Sequence, residues 1–132
     1  MLGKKRPRRV LVADDDPDIL KIIQTNLQAE GIRVDAVTNG LEAQARALRT
    51  APDLVILDIA MPGRTGLEVM AAMKARPETA DIPVVLLTAR ASDADVWEGW
   101  KAGADYYLTK PFDPVQLLHY VNFLFDRSVH TH

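Results

Sequence analysis

Residues 10–18 read VLVADDDPD: four apolar residues run straight into Asp14, Asp15 and Asp16, and Asp18 follows Pro17. Farther along, LVIL ends on Asp58, VVLL ends on Thr88, and YYLT ends on Lys110. Each of these carboxylates, hydroxyls and ammonium groups stands at the end of an apolar run. Clustered carboxylates repel one another, and a hard divalent cation is what usually holds them together. Mg²⁺ commonly takes one or two carboxylates plus phosphate oxygens and keeps several waters; Mn²⁺ is the alternative ion. Lys110 is suited to neutralise a carboxylate at rest and a phosphoryl oxygen later. The chemistry these residue types suggest is cation-assisted handling of a phosphoryl group.

Two other readings of DDDPD compete. Asp14, Asp16 and Asp18 imitate positions 1, 3 and 5 of a calcium-binding EF-hand loop. Position 6 is then Ile19 instead of glycine and position 12 is Thr25 instead of glutamate, so that motif fails. The plainer alternative is that the acids are solvated and one of them caps a helix. It suits Asp16, which stands directly before Pro17. For Asp14 and Asp15 it leaves Asp58 and Lys110 unexplained.

The elements that must position these groups follow from hydrophobic periodicity. Five short apolar runs, VLVA (10–13), RVDAV (33–37), LVIL (54–57), VVLL (84–87) and YYL (106–108), read as strands. RVDAV alternates as an edge strand should, whereas the third and fourth runs are continuous, as in strands covered on both faces. PDILKIIQTNLQAEG is a helix in which Ile19, Ile23 and Leu27 repeat on one side with Ile22 beside them, closed by Gly31. NGLEAQARALRTA, TGLEVMAAMKARPE, SDADVWEGWKAGA and DPVQLLHYVNFLFD supply four more helices. Strict strand–helix alternation with connections this long implies parallel pairing and right-handed crossovers. The expected fold is α/β: a doubly wound five-stranded parallel sheet of order 2-1-3-4-5 in three αβα layers, flavodoxin-like. In such a sheet all strands point their carboxyl ends to one side, so Asp14, Asp15, Asp58, Thr88 and Lys110 converge there.

Bulk properties limit the classes open to this chain. Its 132 residues are 48% apolar and 26% charged, with no cysteine, which excludes disulfides and thiolate metal sites. No apolar run approaches the roughly 18 residues of a membrane span, and the basic N-terminus lacks the apolar core of a signal peptide. A cytoplasmic protein is expected. Lys4, Lys5, Arg6, Arg8 and Arg9 all precede the first acid, leaving 11 basic against 18 acidic residues beyond them. KKRPRR, with no interleaved aromatics, reads as a solvated tail leading into the first strand; the nucleic-acid arm is the weaker reading. The domain expectation is a basic tail at 1–7, one domain at 8–126 and a short tail at 127–132. The tail histidines His130 and His132 are not read as ligands.

From about residue 8 to 125 the chain resembles the receiver domain of two-component response regulators. The likeness rests on VLVADDDPDIL, DLVILDIAMPGRTGLEV, VVLLTAR and AGADYYLTKPF, in that order. The resemblance implies that Asp58 accepts a phosphoryl group from a phosphohistidine on a sensor histidine kinase or a histidine phosphotransfer protein. It implies Mg²⁺ ligation by Asp15, Asp58 and the backbone carbonyl of Ala60, with Asp14 holding a metal-bound water. Thr88 and Lys110 would bind the phosphoryl oxygens, and Lys110–Pro111 would be a cis peptide. Tyr107 stands at the aromatic switch position: as Thr88 moves inward, its ring gains room to bury, reshaping the face made by the fourth helix, fifth strand and fifth helix. Ala60 and Arg90 occupy positions that tune dephosphorylation, and here they suggest a moderately long-lived phosphoryl state. Thr65 stands where many relatives carry an acid.

The role implied is regulatory, not enzymatic beyond assisting its own phosphorylation and dephosphorylation, with a downstream protein target as output. Dimerisation through the switch face is common in relatives, and nothing here forces it. Whether the domain stands alone or is excised from a longer regulator is left open. Trp97 and Trp100 read as core packing rather than a contact patch, and His119 lacks the setting of a phosphoryl donor. The rival is an enzyme: Asp14-x-Asp16 weakly resembles the nucleophile loop of haloacid-dehalogenase-type phosphatases, although Asp18 departs from that pattern.

Overall fold

The computed structural model describes residues 7–89 and 101–130. Five strands, β1 (Arg9–Ala13), β2 (Arg33–Val37), β3 (Leu54–Asp58), β4 (Val84–Thr88) and β5 (Tyr106–Thr109), form one sheet of order β2-β1-β3-β4-β5. Every pairing is parallel. Four helices are described: α1 (Pro17–Gln28), α2 (Gly40–Thr50), α3 (Gly66–Lys74) and α4 (Pro114–His130). Residues 92–100 of the helix expected over SDADVWEGWKAGA, Trp97 and Trp100 among them, lie outside the described residues, as does Arg90. The doubly wound α/β architecture and its strand order are those read from the sequence.

Strand pleating divides the core in two. Val10, Val12, Leu54, Ile56, Val85 and Leu87 face α1 and α4, where Leu20, Ile23, Leu27, Leu117, Val121 and Leu124 meet them. Leu11, Ala13, Val55, Leu57, Val84 and Leu86 face the other way, against Ala43 and Ala47 of α2 and Val69, Met70 and Met73 of α3. Alternate residues point to opposite faces, so an uninterrupted apolar run feeds both cores at once. The central strands β3 and β4 are buried along their whole length.

Helix ends follow the local chemistry. Asp16 caps α1 by accepting the Asp18 amide, with Pro17 first in the helix. At its other end the Ile32 amide donates to Leu27 and the Gly31 amide to Gln28, with Gly31 at φ +79. This is a Schellman motif, so Gly31 does close the helix, three residues past Gln28, its last regular residue. Ile22 departs from expectation. It is 41% exposed, and Leu20 takes its place in the core. The last helix runs to His130 instead of stopping at Asp126, since no glycine or proline in RSVH breaks it.

Candidate functional site

The register of β1 against β3 decides the centre of the site. Ala13 pairs with Leu57, so the next residues, Asp14 and Asp58, emerge side by side at the carboxyl edge of the sheet. Both are buried, Asp14 fully and Asp58 with 4% of its surface exposed. Beyond β5, Lys110 reaches back across the edge, its amide donating to the Thr88 carbonyl at 2.7 Å. Its Nζ lies 2.7 Å from Asp14 Oδ2 and 3.2 Å from Asp58 Oδ2. One ammonium therefore bridges two carboxylates.

The remaining carboxylate oxygens have their own partners. Asp14 Oδ1 accepts the Asp16 amide at 2.9 Å, and Asp58 Oδ1 accepts the Ala60 amide at 3.3 Å. Asp15 is exposed at the rim, and oxygens of Asp14, Asp15 and Asp58 lie within 4.8 Å of one another. Together these groups carry three negative charges against the single positive charge of Lys110. Burial first, and then the adjacent Asp14 charge, hold the Asp58 carboxyl above its ordinary value despite Lys110. Burial works against the Lys110 ammonium, but the hydrogen bond and charge of Asp14, joined by those of Asp58, outweigh it and raise its pKa.

A solvent-open cleft of about 440 Å³ sits over Asp58, lined by Asp15, Asp16, Asp58, Ile59, Ala60, Thr88, Ala89 and Lys110. It has room for a phosphoryl group and several waters. Thr88 ends β4 and is 6% exposed. Tyr107 does not line the cleft; it pairs in register with Leu86 and lies half-buried against the α2–α3 core. The Lys110–Pro111 peptide is cis.

An uncompensated anionic excess beside an open cleft suits a divalent cation. Asp15 and Asp58 offer oxygens to the cleft, while Asp14 lies behind, bound to Lys110 and to the chain. That arrangement does not favour Asp14 as a phosphatase nucleophile, because it is fully buried with an oxygen held by Lys110. Asp16, the proposed acid of that alternative, spends a carboxylate oxygen on capping α1.

Sequence reading did not anticipate the Ala60 amide on Asp58, nor the part played by the glycines around the loop between β3 and α3. A Cβ on Gly66 would stand 2.4 Å from the Asp58 carbonyl oxygen. The signal available was the small residue just after GRT, but its meaning depends on a packing distance. Thr65 forms a capping box with Glu68 that opens α3.

Comparison with known proteins agrees with this geometry. The family profile described as "Response regulator receiver domain" matches residues 10–122. Among curated proteins, the "DNA-binding dual master transcriptional regulator RpaA" of Synechocystis sp. is 40% identical over 120 residues, covering 91% of this chain and 50% of that protein. The chain spans about half the length of the first curated relatives it matches. Among solved structures, the chemotaxis response regulator CheY4 of Vibrio cholerae is 32% identical, with a TM-score of 0.84 over 90% of this chain and 99% of that one. A CheY-like receiver domain protein from Methanospirillum hungatei JF-1 gives a TM-score of 0.89 at 29% identity, covering 96% and 100%.

Proposed function

The chain belongs to the response regulator receiver domain family, and from that premise we propose that it is a phosphorelay switch phosphorylated on Asp58 in a Mg²⁺-dependent reaction. The donor is a phosphohistidine on a sensor histidine kinase or histidine phosphotransfer protein, and the output is altered binding of a downstream protein. One observation carries the reading: Lys110 Nζ bridges Asp14 and Asp58 at the floor of an open cleft whose wall includes Thr88.

The residues divide the work as follows. An Asp58 oxygen attacks phosphorus as the P–N bond to the donor imidazole breaks, giving an acyl phosphate and free histidine. Burial makes that carboxylate more basic than a solvated one, which favours attack. Lys110 is already within hydrogen-bond reach of Asp58 and shifts its charge toward the equatorial oxygens as they accumulate charge. The Thr88 hydroxyl donates to the same group. Asp15, Asp58 and the backbone carbonyl of Ala60, with Asp14 through a water, would hold a Mg²⁺ or Mn²⁺ ion, which would supply neutralisation of the phosphoryl charge.

Phosphorylation adds about two negative charges at the crevice edge. Thr88 is drawn toward them, and Tyr107 responds by burying its ring, which alters the face shared by β5 and α4. That face is also where a homodimer would form. Ala60 offers no side-chain group to orient an attacking water, and Arg90 stands in the sequence two residues after Thr88, a position that tunes dephosphorylation in the family; on these grounds the marked state is moderately long-lived. No helix among the described residues is long and apolar enough to cross a membrane, and we place the switch in the cytoplasm. The RpaA relative is a DNA-binding regulator by name; for this chain we propose protein contact, with nucleic acid no partner of the domain itself.

Labelling by a small phosphoryl donor with Mg²⁺ tests the reading. A stable mark that is lost in Asp58→Asn and kept, if weakened, in Asp14→Asn is the expected result. Repeated turnover of phosphate esters that survives Asp58→Asn would instead establish a phosphatase.

A further inference from the structure

The loop that follows Asp58 is held by a second helix as well as by its own. Gly40 opens α2, and its amide donates to the Pro62 carbonyl at 3.0 Å, giving one of the helix's otherwise unpaired N–H groups a partner on the loop. A Cβ on Gly40 would stand 1.9 Å from the Arg64 carbonyl oxygen and 2.6 Å from its carbon. No side chain can occupy that space unless the loop moves. The backbone of Gly40 does not itself call for glycine, since the positive-φ glycines among the described residues are Gly31, Gly63 and Gly103. Glycine is also a poor helix former. Space for the loop is the remaining reason for glycine here.

From this we infer that Gly40 is a positioning residue for the phosphoacceptor site, seating the loop that carries Ala60. The inference rests on the phosphorylation reading above. The loop is pinned at three places: Ala60 N–H on Asp58 Oδ1, Gly66 against the Asp58 carbonyl, and Gly40 against Pro62 and Arg64. Both glycines begin helices, both are buried, and both meet backbone atoms that cannot rotate away. A displacement at Arg64 is therefore passed to residues 59–62, where Ala60 lines the cleft. Gly40 touches no reacting atom, so its effect acts through the loop alone.

Gly40→Ala is the test, with Ala47→Gly as a control that weakens the same helix at a buried position far from the loop. Three quantities are compared at matched stability: Mg²⁺ affinity by calorimetry, the Ala60 amide resonance in metal-free protein, and the rate of labelling by a small phosphoryl donor. Gly40→Ala should shift the Ala60 resonance and reduce Mg²⁺ affinity roughly tenfold, the scale seen when groups that orient metal ligands are lost, with slower labelling. Ala47→Gly should change none of the three. If Gly40→Ala does not fold, Asn39→Ala removes the cap of the same turn without adding an atom near Arg64. It should show a smaller loss of the same kind. Either variant matching the control while the parent labels normally overturns the positioning role. Failure of the parent to label on Asp58 overturns the functional reading instead.

Discussion

Asp58 is a carboxylate that the fold makes uncomfortable. Burial, then the neighbouring Asp14, hold its proton to a higher pH than the ordinary value of 3.8, even with Lys110 at 3.2 Å. The folded protein therefore binds more protons at this group than the unfolded chain does over the interval between the two pKa values. Its contribution to stability is fully present below about pH 4 and is lost as pH rises through the folded pKa. Asp58→Asn, which cannot ionise, should be more stable than the parent in metal-free buffer, by a margin that grows from pH 4 upward and then levels off. Thermal denaturation of both proteins across that range checks it; a margin independent of pH, or one that shrinks, contradicts the stated burden. At this scale the sequence was informative about residue types, since an acid ending an apolar run is conspicuous. It was silent about which acids are buried. Asp14 and Asp15 are neighbours, yet one is fully enclosed and the other lies at the rim, because successive residues turn to opposite sides.

Capping chemistry and periodicity located the helices; what they did not determine was rotation and packing. In α1 the stripe Leu20, Ile23 and Leu27 faces the sheet. At 3.6 residues per turn Ile22 falls roughly 120° from its centre, which accounts for its exposure. Apolar character alone suggested otherwise, because Ile19, Ile22 and Ile23 make an equally apolar stripe in the sequence. The Thr65–Glu68 box was readable from its spacing, whereas the close approaches at Gly40 and Gly66 join segments that periodicity treats separately. Gly31 offers a clean test of the local reading. A Cβ there would meet nothing within 4 Å, so replacing it with alanine strains only the backbone, at φ +79. Gly31→Ala should lower stability by about 1 kcal/mol in urea denaturation, leaving the rate of phosphoryl labelling unchanged, since Gly31 is not among the residues lining the cleft. A neutral substitution would mean that the α1–β2 turn relaxes freely.

The whole sheet brings together groups spread from Asp14 to Lys110, and this convergence was legible because parallel topology sends every strand's carboxyl end to one edge. The same topology stores an electrostatic tension. Three carboxylates gather where one ammonium pairs with two of them, so the folded chain assembles a group that could hold a cation, which the unfolded chain, with its acids dispersed, does not. If Mg²⁺ binds there as proposed, linkage requires it to stabilise the fold, by about 2.7 kcal/mol when present at 100 times its dissociation constant. For a domain of this length that corresponds to a rise in melting temperature on the order of 10 °C. Mg²⁺ should produce this rise in the parent, most of it should vanish in Asp58→Asn, and NaCl at equal ionic strength should not reproduce it. The salt control matters because the chain beyond its basic start carries 18 acids against 11 bases, and general screening relieves some of that repulsion. An increase of equal size with NaCl, or one retained in Asp58→Asn, would locate the effect in the overall charge and not in the cleft. A rise confined to Mg²⁺ and dependent on Asp58 would tie the stability of the sheet to the occupancy of its acidic edge.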